Sequence, residues 1–391
     1  FCSPPTHVDS HHKGIWSPLT TLQTSGVAVS RMALFNTNML VLLLSLLQVG
    51  PGLSAHTCRG NKVVLCNYVG DGSMDIADIN GTYCTHLVYS NTLVDIGELA
   101  LKIPYTVFKE ESAVKLVPDI KSEFPGLQSL IAVELISKKV LSSADFPRSQ
   151  LEDLVKKLYT FFFENNGFDG IVIQSSLENE KFELELMKIF RKKISEPVFY
   201  DASYKTPSTH PALIDLNIYV DYFIIGTPSE SSSESIPFFQ HNTSEMPKYV
   251  TQLSLYLPPW LQFFDYNKLI LKLGLSFTVG TFDDRRNLIS VTKKRYEEVC
   301  KTLHYHVWTP VASEYSAYSH NKSHVMVMRT PDMMSLYVRS IRSIKIGGLF
   351  VNSLNDDNKV FDGEKDVCFT GDYPFLRRIH AAYCVDINQT V

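Results

Sequence analysis

The 391-residue chain is 45% hydrophobic, 12% aromatic and 20% charged, with 37 Lys and Arg against 41 Asp and Glu and a formal net charge of -4. That apolar content excludes a disordered chain, and the faint acidity leaves no basic footprint of the kind nucleic-acid binding relies on. The length suits two average domains or a single α/β barrel.

Residues 1–31 mix His, Ser, Thr and Pro without periodicity and precede Met32, so they read as an upstream segment outside the fold. Residues 32–55 read as a secretory signal peptide. The apolar stretch from Met39 to Leu47 is followed by Pro51-Gly52-Leu53-Ser54-Ala55, and it is shorter than the about 20 residues a membrane helix needs. No second long apolar segment follows, so the expectation is a secreted, extracellular protein without a membrane span. Cysteine usage agrees. Of seven cysteines, Cys2 falls in the leader, leaving Cys58, Cys66, Cys84, Cys300, Cys368 and Cys384, an even set suited to an oxidising compartment. None is spaced as CxxC, and His304 and His306 alternate along an expected strand, so neither a metal nor a cofactor is expected. Asn80, Asn242, Asn321 and Asn388 head N-x-S/T sequons and are candidate glycosylation sites.

From residue 56 onward, short apolar runs alternate with amphipathic stretches, the rhythm of βα units around a parallel sheet. Strands are expected at 62–68, 86–89, 129–133, 170–173, 197–200, 222–226, 270–275 and 348–352. Eight of them imply a closed (β/α)8 barrel over residues 56–391. Ser149 to Asn165 and Glu180 to Ile194 carry apolar residues at helical spacing, among them Leu151, Leu154, Leu158 and Phe162, with Gly167 as the C-terminal glycine of the first. Between the seventh and eighth strands, 304–308 and 325–328 look like strands of a small α+β insertion at about 281–337. Insertions there wall the C-terminal mouth, where barrel function is built. The serine-rich tract 229–235 reads as a loop.

These stretches together resemble the chitinases and chitinase-like proteins of glycoside hydrolase family 18. Lys62 to Tyr68 resembles the first strand of that family, Cys84 to Tyr89 the second, and Leu127 to Val133 the third. Gly167-Phe168-Asp169-Gly170-Ile171 is similar to the opening of the signature fourth strand, and Gly347 to Asp357 to the eighth. The resemblance runs in order from residue 60 to 383. It implies the TIM barrel with its insertion and disulfides Cys66–Cys84 and Cys300–Cys368; Cys58 and Cys384 are then left as a third pair.

The resemblance also implies what is missing. Active members use a substrate-assisted route in which the sugar acetamido group attacks and a protonated Glu ends a D-G-x-D-x-D-x-E strand. In this chain the motif reads Asp169, Gly170, Ile171, Val172, Ile173, Gln174, Ser175, Ser176. Ser176 stands at the acid position, Gln174 cannot ionise and Val172 cannot share a proton, so general-acid help worth about 100- to 10,000-fold is lost. Glu178 and Glu180 are nearby acids expected at a helix start, pointing elsewhere. Other cleft positions differ too. Glu134-Leu135-Ile136 replaces Gly-Gly-Trp, Gly226-Thr227-Pro228-Ser229 replaces Met-Thr-Tyr-Asp, Thr278 replaces a Tyr, and Asn352 replaces the Trp that floors the central sugar site.

The expectation is therefore a secreted chitinase-like protein with no catalytic residues. It would act as a scaffold for a glycan or an extracellular protein; a chito-oligosaccharide-binding lectin and a glycosidase with a relocated acid are the alternatives. Tyr68, Gln174, Ser176, Thr227 and Asn352 are the ligand-binding candidates. Trp260 and Trp308 are further aromatics that a glycan could meet, and Asp169 fits a structural role.

Overall fold

The structure is a computed structural model. It describes residues 58, 62–71, 73–102, 120–138, 147–226, 257–285, 287–296, 298–299, 309–311, 316–320, 324–357 and 372–385. The leader and signal readings, the Cys300–Cys368 pair, His304, His306, Trp308, Thr227, the 229–235 tract and the sequons at Asn242, Asn321 and Asn388 lie outside these residues.

In chain order the strands are Val63–Val69 (β1), His86–Asp95 (β2), Ala100–Lys102 (β3), Gln128–Ile136 (β4), Gly170–Ser175 (β5), Val198–Asp201 (β6), Tyr222–Ile225 (β7), Leu269–Gly274 (β8), Phe277–Phe282 (β9), Leu288–Lys294 (β10), Thr309–Val311 (β11), Ser316–His320 (β12), His324–Met328 (β13) and Gly348–Asn352 (β14). The main sheet runs β1-β14-β8-β7-β6-β5-β4-β2, and pairing of β1 with β2 closes it. All eight of these strands are parallel. The result is the TIM barrel that the apolar runs imply. β3 is an antiparallel addition to the far end of β2.

Strand alternation sorts the residues into two layers. Val63, Leu65, Val88, Leu130, Val172, Phe199, Ile224, Ile270 and Phe350 fill the barrel interior, while Val64, Cys66, Tyr68, Tyr89, Ile131 and Ile173 pack outward against the helices. With apolar residues needed on both faces, these strands read as continuous runs. Helix Arg148–Tyr159 buries Leu151, Leu154, Val155 and Leu158, and it widens into a π turn at Thr160–Asn165. Gly167, at φ 66°, ends it, with its N–H bonded to Phe163 O at 3.2 Å and that of Phe168 to Phe162 O at 3.2 Å. Helix Glu180–Lys193 starts on Asn179, whose side chain accepts from Lys181 N and Phe182 N. Acids in its first turn and Arg191, Lys192 and Lys193 in its last complement the helix dipole.

Between β8 and β14 the chain builds a second, antiparallel sheet in the order β10-β9-β13-β12-β11. It begins at Phe277, directly after β8, and helix Pro331–Ile344 leads back to the barrel. Disulfides Cys66–Cys84 and Cys58–Cys384 are both formed. Asn80 caps the short helix Gly81–Tyr83, accepting from Thr82 N at 3.0 Å. No helix among the described residues is long and apolar enough to cross a membrane.

Candidate functional site

Above the apolar interior layer, the inward positions of the strands turn polar, and register sets them side by side. Glu134 of β4 pairs with Gln174 of β5, which pairs with Asp201 of β6. Across the barrel, Asn67 of β1 pairs with Asn352 of β14, and Phe350 pairs with Lys272 of β8. These residues line a cleft of about 240 Å³ at the C-terminal mouth, floored in part by Val172 and Ala132. The C-terminal face is where the barrel architecture places its sites.

The polar groups bond as a set. Ser176 Oγ donates to Glu134 Oε1 at 2.8 Å. Lys272 Nζ donates to Asp201 Oδ2 at 3.1 Å, both side chains nearly buried, while the other Asp201 oxygen takes the N–H and hydroxyl of Ser203. Asn67 Nδ2 donates to Asn352 Oδ1 at 2.7 Å, and Asn67 Oδ1, buried in the wall, has no hydrogen-bond partner among the described residues. Tyr204 stands just beyond β6 with 69% of its surface exposed, its ring centroid 5.9 Å from Lys272 Nζ.

The structure brings Gln174 and Asn352 into the cleft wall and Ser176 to its rim through Glu134. It does not bring Tyr68 there. Tyr68 has the outward parity of its strand, is buried against Tyr89, and donates to Met74 O at 2.8 Å. Burial, with Asp75, Asp71 and Asp78 nearby, pushes its hydroxyl up to about 12. Trp260 is fully buried against Phe223 and Phe264, so it offers no face to a glycan.

Asp169 lies just before β5, at the opposite end from the cleft, where it accepts from Lys121 Nζ at 2.8 Å and from Ser129 N and Oγ. Burial works to raise its carboxyl, but these bonds prevail and hold it below the ordinary value. Its role is to tie β5 to β4. Glu180 accepts from Ala212 N at 3.2 Å, and Glu178 is exposed; neither lines the cleft.

Sequence reasoning missed Asp201, Lys272 and Tyr204, and it read Glu134 only as a replaced position. Glu134 and Asp201 close apolar runs, Lys272 interrupts one and Tyr204 follows one, and only barrel closure makes them neighbours. Among the described residues one group has metal-like spacing, Cys58, His380 and Cys384. Its two cysteines are joined as a disulfide, so it presents no thiolate donors.

No protein-family model and no curated protein matches the chain. Solved structures do. The Ostrinia furnacalis Group IV chitinase in complex with allosamidin is 18% identical, with a TM-score of 0.67 over 82% of this chain and 98% of its own. Human YKL-39, described as a pseudo-chitinase with retained chitooligosaccharide binding, is 13% identical with a TM-score of 0.65 over 82% and 99%. The class V chitinase of Nicotiana tobaccum is 11% identical with a TM-score of 0.60 over 83% and 99%. At such identities the likeness speaks for the fold: the chain is a TIM barrel of the form shared by these chitinases and the pseudo-chitinase.

Proposed function

We propose that the chain is a secreted, non-catalytic member of glycoside hydrolase family 18 whose barrel mouth binds a glycan. The observation that carries this reading is Ser176. It stands at the end of β5, where the motif would place a protonated Glu, and its hydroxyl donates to Glu134. A serine hydroxyl has no proton to give to a leaving oxygen near neutral pH. The neighbouring positions agree: Val172 is apolar and Gln174 is an amide, so the acetamido-positioning and proton-sharing parts are absent together.

Binding is the role that remains for a polar cleft with an exposed aromatic at its rim. YKL-39 shares the fold and is described as a pseudo-chitinase that keeps chitooligosaccharide binding, which supports a glycan over a protein client. The disulfides support an extracellular setting.

Glu134 is the specific ground for the glycosidase alternative, since it sets a carboxyl at the cleft beside the position of the missing acid. One assay separates the two. A fluorogenic chitobioside should show no turnover between about pH 3 and pH 9, while calorimetry with chito-oligosaccharides should show saturable binding. Hydrolysis that disappears in Glu134→Gln would overturn the non-catalytic reading and make Glu134 the acid.

A further inference from the structure

We infer that the cleft prefers a glycan unit with a free, protonated amine, a glucosamine residue, over its N-acetylated counterpart. This rests on the glycan-binding reading above and names the ligand class.

Three observations carry it. The first is charge. Among the described residues, the ionisable groups lining the cleft are Glu134, Asp201 and Lys272, and Lys272 is bonded to Asp201. Glu134 has the Ser176 hydroxyl as its hydrogen-bond donor and no ion-pair partner among the described residues, so among them it is the acidic group of the cleft that no cation offsets. The second is an open acceptor. Asn67 is 5% exposed, it lines the same cleft, and its Oδ1 accepts from nothing among the described residues. A buried acceptor left unmade costs about 1–3 kcal/mol, a cost that a donor reaching this wall would offset. The third is shape. The cleft, at about 240 Å³, lies below the roughly 300–1,000 Å³ of drug-sized sites, a space that suits one sugar ring, and the exposed ring of Tyr204 stands at its edge as a stacking surface.

An ammonium group brings three donors and a positive charge to this wall, whereas an acetamido group is neutral and brings a single N–H donor. Either donor makes a charge-assisted bond to the Glu134 carboxylate, but only the ammonium adds the attraction of opposite charges, so exchanging acetamide for amine favours binding at Glu134. Tyr204 serves either sugar alike, because stacking depends on the C–H face of the ring and not on the substituent.

The test is calorimetry on the intact chain with two tetramers, one of glucosamine and one of N-acetylglucosamine, at about pH 6 and again at about pH 9, where a sugar amine is neutral. The glucosamine tetramer should bind at least about tenfold more tightly near pH 6, and the advantage should vanish near pH 9. Glu134→Gln should erase the preference between the two tetramers. Spermine, which is cationic without a sugar ring, should not displace the glucosamine tetramer. A tighter N-acetylated tetramer, a preference that survives the substitution, or displacement by spermine would each sink the inference while leaving glycan binding standing. Binding of neither tetramer would remove both. The comparison of ligands on the unsubstituted protein holds even if the variant fails to fold.

Discussion

His86 opens β2 inside the N-terminal end of the barrel, with Nδ1 2.8 Å from Thr85 Oγ1 and its ring edge-on to Phe199 at 5.8 Å. Burial drives its imidazole down to about 4, against Gln128 and Asp169, which both act to raise it. The folded state therefore keeps the ring neutral where the unfolded chain takes up a proton. The sign follows: the contribution is whole above the unfolded value near 6.5 and is lost as pH falls towards 4. Its ceiling is about 3 kcal/mol. Asp169, also held below its ordinary value, adds to the loss at still lower pH. Denaturant midpoints should thus drop between about pH 6.5 and pH 4, and His86→Gln should flatten that slope; an unaltered slope would assign the acid sensitivity to other groups. Lys272 and Asp201 are a different case, because each is nearly buried and neutralises the other. Removing one alone would strand a charge in the cleft wall, which makes the pair poor material for testing ligand contacts.

At the scale of elements, the apolar runs located all eight barrel strands but cut three of them short at the mouth. The sequence signal for β2 stops at Tyr89, that for β4 at Val133 and that for β5 at Ile173, whereas the strands continue to Asp95, Ile136 and Ser175. The reason is the change of environment at the mouth. There the inward positions are Ser90 and Glu134 and line the cleft, so alternation replaces the continuous apolar run. The same change hid Glu134 and Asp201, which sit where the hydrophobic pattern ends, while Lys272 is masked by the apolar residues on either side of it. Tyr68 shows the opposite error: strand alternation alone, which gives it the parity of Val64 and Cys66, is enough to put it on the outer face of the barrel. The disulfide Cys66–Cys84, implied by family resemblance, is present because both residues fall where β1 meets the segment entering β2.

Glycines were more legible. Gly167 adopts φ 66°, and a Cβ there would meet nothing within 4 Å, so Gly167→Ala should cost only the left-handed backbone term, about 1–2 kcal/mol. At Gly347 a Cβ would lie 2.0 Å from Asn267 O, a clash with backbone that repacking cannot relieve. Thermal melts of the two alanine variants should therefore differ clearly, with Gly347→Ala the more damaged; equal losses would contradict the steric account.

For the molecule as a whole, the covalent tie between Cys58 and Cys384 spans 326 residues. It works beside the packing of helix Pro374–Cys384, whose Phe375, Leu376, Ile379 and Tyr383 are buried. Lys62 Nζ donates to Tyr383 O, and Tyr383 OH donates to Ile346 O. Closing so long a loop constrains the unfolded chain strongly, so replacing both cysteines with serine should lower stability by about 2–5 kcal/mol. Calorimetric melting of the double variant checks this; an unchanged transition would mean that the helix alone holds the two ends together.

That tie also makes the barrel topologically a ring. A protease that nicks any surface loop between the two half-cystines produces no separate fragments, because the pieces stay joined through sulfur and through the parallel pairings on either side of the cut. In an oxidising milieu rich in proteases, such a molecule can lose one peptide bond and keep all its parts joined.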